Sequence, residues 1–147
     1  METVTIKCRA LMVGDWITNR NGFPMQITNV GEDYAYATWE GNEGDPWEFD
    51  DKDDQPCAIE ITRDILKENG WMERPLILSL DSSVLAYYFV KDEGDTHLEF
   101  KRDTLTIWFN NETGYYFDIA IPVKYVHQLQ QILRLAWMTD MANNFKI

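Results

Sequence analysis

The feature that most constrains the fold is a series of short segments between residues 84 and 121 in which apolar side chains take every second position. In "DTLTIWFN" (103–110), for example, Leu105, Ile107 and Phe109 alternate with polar residues. A period of two is that of a β-strand, whose successive side chains point to opposite faces. The pattern predicts a four-stranded antiparallel meander with one apolar face, formed by residues 84–91, 96–102, 103–110 and 115–121.

Short strands are also predicted in the first half of the chain, where apolar segments are separated by tight turns. The Asn21-Gly22 pair between two such segments is a strong hairpin signal, and aromatic residues, 14% of the chain, suit a pleated surface. Strands at this spacing predict a small bent sheet or an SH3-like barrel, built from residues 11–17, 24–30, 34–39 and 57–61.

Two helices complete the expected fold. In "TRDILKENG" (62–70), Thr62 is a suitable N-cap and Gly70 can end the helix in the left-handed conformation. A second helix is predicted over 123–138, because its apolar residues recur at intervals of three and four. This apolar stripe comprises Val126, Leu129, Ile132, Leu133, Ala136 and Trp137.

The residues predicted to face away from that stripe are His127, Gln128, Gln130, Gln131 and Arg134. The stripe is expected to cover the apolar face of the meander, which makes the protein α+β. The short helix then links two subdomains. These are a small β-subdomain (1–61) and a subdomain of helix, meander and C-terminal helix (62–147).

Charge restricts the partners. The chain has 25 acidic and 13 basic residues, a formal charge of −12, so it repels phosphate backbones and anionic membranes. Neither direct nucleic-acid binding nor membrane association is predicted. Cys8 and Cys57 form no C-x-x-C motif, and two reduced thiols with no signal-peptide pattern predict a cytoplasmic protein.

Acidic residues are concentrated in "DPWEFDDKDDQP" (45–56). The calcium-loop template fails here, because it places Pro56 where glycine is required. A solvated loop, an irregular divalent-cation site, a decoy for DNA and a docking surface are the remaining interpretations. We expect an exposed connection that contributes nothing to stability. The candidate partner-binding residues are Trp47, Glu48, Asp50, Asp51, Asp53 and Asp54.

The aromatic residues Trp39, Trp47 and Phe49 border the same stretch, as core residues or as contacts for a partner. Little in the chain suggests catalysis. His97 and His127 are the two histidines, and the Ser82-Ser83 pair lacks the context of a nucleophile elbow. We therefore assign no catalytic residue, cofactor or metal ligand, and we do not expect an enzyme.

Three stretches resemble a family of small uncharacterised proteins encoded by phages, prophages and mobile elements of gut anaerobic bacteria. They are "LMVGDWI" (11–17), "IEITRDILKENGW" (59–71) and "VKYVHQLQQIL" (123–133), of which Lys124 to Gln130 is the most specific. The resemblance implies a mobile-element setting and brings no catalytic residue with it.

The function expected from these observations is a non-enzymatic accessory or regulatory protein that binds another protein. A net negative charge favours a basic partner. The alternatives are an acidic decoy that inhibits a DNA-binding host protein and an enzyme with a divalent metal held by carboxylates. Eight acidic residues against one lysine lie between Glu40 and Asp54, but one dense loop with a nearly balanced remainder imitates an extended duplex poorly.

Overall fold

The computed structural model describes residues 3–77, 84–110 and 116–147. The Ser82-Ser83 pair and the predicted turn at 111–114 lie outside these ranges. The described helices are α1 (Arg63–Glu68), α2 (Val126–Leu135) and α3 (Thr139–Asn143), preceded by a short 3₁₀ helix at Cys8–Ala10. The strands are β1 (Trp16–Thr18), β2 (Pro24–Val30), β3 (Tyr34–Thr38), β4 (Trp47–Asp50), β5 (Met72–Ile77), β6 (Val84–Glu93), β7 (Thr96–Lys101), β8 (Thr104–Asn110) and β9 (Tyr116–Pro122).

The protein is α+β, as predicted. The strands form two antiparallel sheets, one in the order β1-β2-β3-β4 and the other in the order β5-β6-β7-β8-β9. Contacts divide the chain into two units. One contains the chain up to Ile61 together with Tyr125–Phe145, and the other contains Thr62–Lys124.

The first sheet is a meander whose two edges are joined by the segment after β4. Asp50 pairs with Asp54 on one side, and Thr18 of β1 pairs with Cys57 on the other. This segment partly closes the sheet, as in a small barrel. The predicted strand at 57–61 is reduced to single bridges, at Cys57 and Glu60.

The hairpin between β1 and β2 is confirmed. Asn19 Oδ1 accepts hydrogen bonds from the backbone N–H groups of Asn21 and Phe23, at 2.9 and 3.0 Å. Gly22 has φ +81°, a conformation that suits glycine. An asparagine that bonds its own turn in this way stabilises the connection without tertiary contacts.

Strand β4 lies inside the acidic stretch, where the sequence predicts a solvated connection. Its Phe49 is fully buried and pairs with Ala35 of β3. Burial of a phenylalanine side chain contributes roughly 1.5–3 kcal/mol, which explains why the segment pairs as a strand despite its charge. The core around it comprises Ile6, Cys8, Leu11, Ile17, Met25, Ile27, Ala35, Ala37 and Phe49.

The second sheet has the predicted meander and one further strand, β5, that the sequence analysis did not predict. Pro75 lies in β5 and cannot donate a ladder hydrogen bond, but β5 is an edge strand, where proline is tolerated. Leu98, Leu105 and Ile107 are buried on the predicted apolar face.

Helix α1 has the predicted ends. The side chain of Thr62 accepts a hydrogen bond from Ile65 N at 3.2 Å, and Gly70 has φ +81°. The Thr62 bond pairs a backbone N–H at the start of the helix, and the left-handed Gly70 lets the chain pair the carbonyl groups at its end.

Helix α2 belongs to the first unit rather than to the predicted 62–147 subdomain. It packs on β1, and Val126, Leu129 and Leu133 are fully buried. An amphipathic stripe shows that a helix is covered on one side but does not say by which sheet. The predicted stripe ends early, because Trp137 has φ +67° and is 93% exposed.

The polar face of α2 was also predicted wrongly. Gln130 is fully buried, and His127 is 8% exposed. Gln130 Oε1 accepts a hydrogen bond from Trp16 N at 2.9 Å, while its Nε2 donates to Gly14 O and Ala142 O at 2.9 and 3.0 Å. A buried amide is acceptable where its donors and acceptor are paired in this way.

Candidate functional site

The acidic turn, residues 50–54, is held by hydrogen bonds to its own carboxylates. Asp50 Oδ1 accepts from the backbone N–H groups of Asp53 and Lys52, at 2.6 and 2.8 Å. These bonds, that from Asp53 first, hold the pKa of Asp50 below its usual value. The Asp50 side chain therefore builds the turn rather than standing free for a ligand.

Asp51 reaches outside the turn. Its Oδ1 accepts a hydrogen bond of 2.8 Å from the backbone N–H of Cys8, at the start of the 3₁₀ helix. That bond lowers the pKa of Asp51, while burial, with Asp51 as a smaller cause, raises the pKa of Cys8 to about 12. The Cys8 thiol therefore stays protonated at neutral pH and is a poor nucleophile.

Asp54 fixes the position of a tryptophan. Its Oδ2 accepts a hydrogen bond from the indole Nε1 of Trp47 at 3.0 Å. Asp50, Asp51 and Asp54 thus each make an internal contact. These contacts argue against the expectation that the acidic stretch contributes nothing to stability, and the one from Asp51 to Cys8 joins residues 43 positions apart.

Glu48 and Asp53, the other two candidate acidic residues, are exposed. Glu48 lies on β4 opposite Tyr36. Asp53 lines an open pocket of about 370 Å³ together with Thr3, Thr5, Arg20, Lys52, Asp54, Gln55 and Cys57. Since this pocket contains two bases as well as two acids, its charge does not favour one class of ligand.

A second open pocket, of about 380 Å³, has aromatic walls. We call it the aromatic pocket, and it is lined by Asn19, Asn21, Gly22, Phe23, Pro24, Trp39 and Trp47. The rings of Phe23 and Trp39 meet edge to face, with centroids 5.2 Å apart and planes at 73°. Phe23 is 46% exposed, whereas Trp39 and Trp47 are half-buried against the core, so this cluster lies between the core and solvent.

Strand ends place the three rings together. Phe23 is the last residue of the β1–β2 hairpin loop, Trp39 directly follows β3, and Trp47 begins β4. Because β2, β3 and β4 are consecutive neighbours in the sheet, side chains at this end converge on one pocket. From the sequence, Trp47 is a candidate partner-binding residue and Trp39, like Trp47, is either core or contact, whereas Phe23 was not identified.

Chemistry based on histidine or cysteine finds little support in the described part of the chain. His127 is buried, which lowers its pKa, and the partly exposed His97 of β7 lies 2.5 Å from Asp92, its partner on β6. Among the described residues, no group of three or more His, Cys, Asp or Glu side chains is placed to hold a metal ion. Within the described part of the chain, we therefore take the aromatic pocket as the candidate site.

The chain matches no protein-family model, no curated protein and no solved structure. Across the described residues, no helix combines the length and the apolar character needed to span a membrane.

Proposed function

We propose that this chain is a non-enzymatic protein-binding module that serves as an accessory or regulatory protein of a phage or mobile element. The observation that carries the proposal is the solvent-facing cluster of Phe23, Trp39 and Trp47 in the aromatic pocket. Exposed aromatic side chains of this kind are the residues that most often dominate the binding energy of a protein interface.

The shape of the pocket supports a peptide segment as its ligand. It is open, and three of its seven lining residues are aromatic, while Asn19 and Asn21 also line it. Aromatic-lined grooves on small β-domains recognise extended peptide segments, because such segments present side chains without first unfolding. The fixed position of Trp47, whose indole N–H is bonded to Asp54, reduces the entropy lost on binding.

Protein binding is favoured over the DNA decoy by the use of the carboxylates. A decoy must present its charges to solvent at the spacing of DNA phosphates, about 1.7 Å per charge along the axis. Asp50, Asp51 and Asp54 accept hydrogen bonds within the chain instead. The same internal bonds leave fewer free oxygens for a divalent cation in the acidic turn.

The proposal can be tested by selection from a displayed random-peptide library on the intact protein. Peptides enriched on the parent should be lost on Phe23→Ala, which removes an exposed ring and should not disturb the fold. They should be retained on Trp137→Ala, a matched control, because Trp137 is 93% exposed and lies outside the pocket. Equal retention by both variants, or no enrichment, would contradict the proposal.

A further inference from the structure

Two indole rings, those of Trp39 and Trp47, line the aromatic pocket. Trp39 and Trp47 are half-buried, so each is anchored on the core while part of its surface lines the pocket. Tryptophan is the side chain whose face attracts a cation most strongly, at ring distances within about 6 Å. An aliphatic or proline side chain would also fit such walls. The charge around the pocket must therefore distinguish these ligands from a cationic one.

The environment of Trp47 increases this attraction. Its N–H donates to the Asp54 carboxylate at 3.0 Å, and a negatively charged acceptor raises the electron density of the indole ring. Among the described residues, the other oxygen of that carboxylate, Oδ1, has no hydrogen-bond partner. A buried negative charge thus lies at the N–H edge of the Trp47 ring.

The loop between the two tryptophans carries charge of one sign. Residues 40–46 contain Glu40, Glu43 and Asp45 and no base. On the opposite side, the hairpin loop contains Arg20, but this side chain lines the other pocket with Asp53 and Asp54. The potential around the aromatic pocket is therefore negative, which attracts cations and repels anions.

We infer that the aromatic pocket binds the lysine or arginine side chain of an extended basic segment in a partner protein. This inference rests on the proposed function and names the chemistry of its partner. The aliphatic part of the side chain packs on Phe23 and Trp39 while the cationic head lies against Trp47. Lysine and arginine stems are suited to this division, because they cover apolar surface and leave the charged end in a polar environment.

The test uses NMR titration of the full-length ¹⁵N-labelled protein, following the indole N–H signals of its tryptophans. The probes are a short Gly/Ser peptide carrying spaced lysines and matched peptides in which norleucine, arginine or proline replaces lysine. Norleucine has nearly the length of lysine without the charge. The lysine and arginine peptides are expected to shift the Trp39 and Trp47 signals and to bind roughly fivefold more tightly than norleucine, about 1 kcal/mol.

Two variants separate charge from shape. Asp54→Asn keeps an acceptor for the Trp47 N–H but removes the charge, and it should weaken the lysine peptide without changing the norleucine peptide. Trp39→Leu should weaken both, and Trp137→Ala should weaken neither. If lysine and norleucine peptides bind the pocket equally, or the proline peptide binds best, the cation inference is overturned and the proposed function stands. If no peptide shifts these signals, both fall.

Discussion

The guanidinium Nη1 of Arg134 lies 2.5 Å from Asp15 Oδ1, and this ion pair joins residues that are 119 positions apart in the sequence. The Asp15 side chain is fully withdrawn from solvent and that of Arg134 is 9% exposed. Met12 N and Gln131 Nε2 also donate to Asp15 Oδ2, each at 2.8 Å. The C-terminal helix is thus tied to the segment before β1 by a buried, multiply bonded carboxylate.

Arg134→Ala should therefore lower the free energy of unfolding by about 3–5 kcal/mol, because it leaves the Asp15 charge buried and unpaired. Replacing both residues with leucine should cost less than the single change, since no uncompensated charge remains. Urea denaturation of Arg134→Leu, Asp15→Leu and the double-leucine variant measures the coupling, with Arg134→Ala beside them. Arg74→Ala, at an exposed position, is the control and should have an effect within about 0.5 kcal/mol. If the stability losses of the single variants at residues 15 and 134 add up to the loss of the double variant, this account is contradicted.

In helix α2, replacing one glutamine with leucine should destabilise the protein, whereas replacing one leucine with glutamine should not. Gln130→Leu removes the hydrogen bonds that its side chain makes to Trp16 N, Gly14 O and Ala142 O, of which Gly14 O keeps one from Gln26 Nε2. It should cost at least about 2 kcal/mol. Leu135→Gln, at a position that is 79% exposed, should change stability by less than about 0.5 kcal/mol. Chemical denaturation of the two variants decides the point. A stabilising Gln130→Leu would mean that the buried amide is not needed.

Within the acidic turn, the individual carboxylates should not be equivalent. Asp51→Ala removes the acceptor of the Cys8 N–H bond and should lower the melting temperature clearly. Asp53→Ala should have little effect or a small stabilising one, because among the described residues no hydrogen bond to the Asp53 carboxylate is found and its charge adds to local repulsion. Thermal melts of both variants at low salt test this ranking, and equal losses would contradict it.

Acid should destabilise the protein through the same turn. The pKa values of Asp50 and Asp51 are lowered in the folded state. Their contribution to stability is therefore complete above the unfolded pKa of about 3.9 and is lost as the pH falls through the lower folded values. Asp51→Asn should give a shallower loss below about pH 4, measured by denaturant midpoints across the pH range. An unchanged slope would show that Asp51 is protonated alike in both states.

His127 should add a second pH dependence at milder acidity. Burial lowers its pKa, while the nearby Asp15 acts in the opposite direction with a smaller effect. The unfolded chain therefore takes up a proton first as the pH falls below about 6.5, and stability decreases over this range. His127→Gln should reduce the loss between about pH 7.5 and about pH 5.5. If the parent protein is equally stable at these two pH values, the prediction is contradicted.

Local patterns in the sequence determined most of the strands and turns. The alternation over residues 24–30, 96–102 and 103–110 predicted strands that the structure contains, because side-chain period depends on adjacent residues alone. The Asn21-Gly22 turn, and the cap and stop of α1 at Thr62 and Gly70, were predicted for the same reason. These signals need no knowledge of the rest of the chain.

Predictions from composition were wrong where a contact between distant residues determined the local structure. Six acidic residues within ten positions predicted a free, solvated connection, yet β4 pairs with β3 and buries Phe49. The hydrogen bond that Asp51 accepts from Cys8 joins residues 43 positions apart, and no local sequence pattern predicts it. In the site, the sequence pointed to the acidic stretch and Trp47, whereas the pocket also needs Phe23 from the β1–β2 loop and Trp39 from the position after β3.

Only the tertiary structure decided where the C-terminal helix packs. The sequence by itself determined that residues 126–133 form an amphipathic helix, but an apolar stripe fits any apolar surface of suitable width. The helix packs in the first unit because it forms specific bonds there. Gln130 is hydrogen-bonded to Trp16 and Gly14, and Arg134 is paired with Asp15. Hydrogen bonds and buried ion pairs require partners at fixed distances and angles, and those are set by the folded backbone rather than by neighbouring residues.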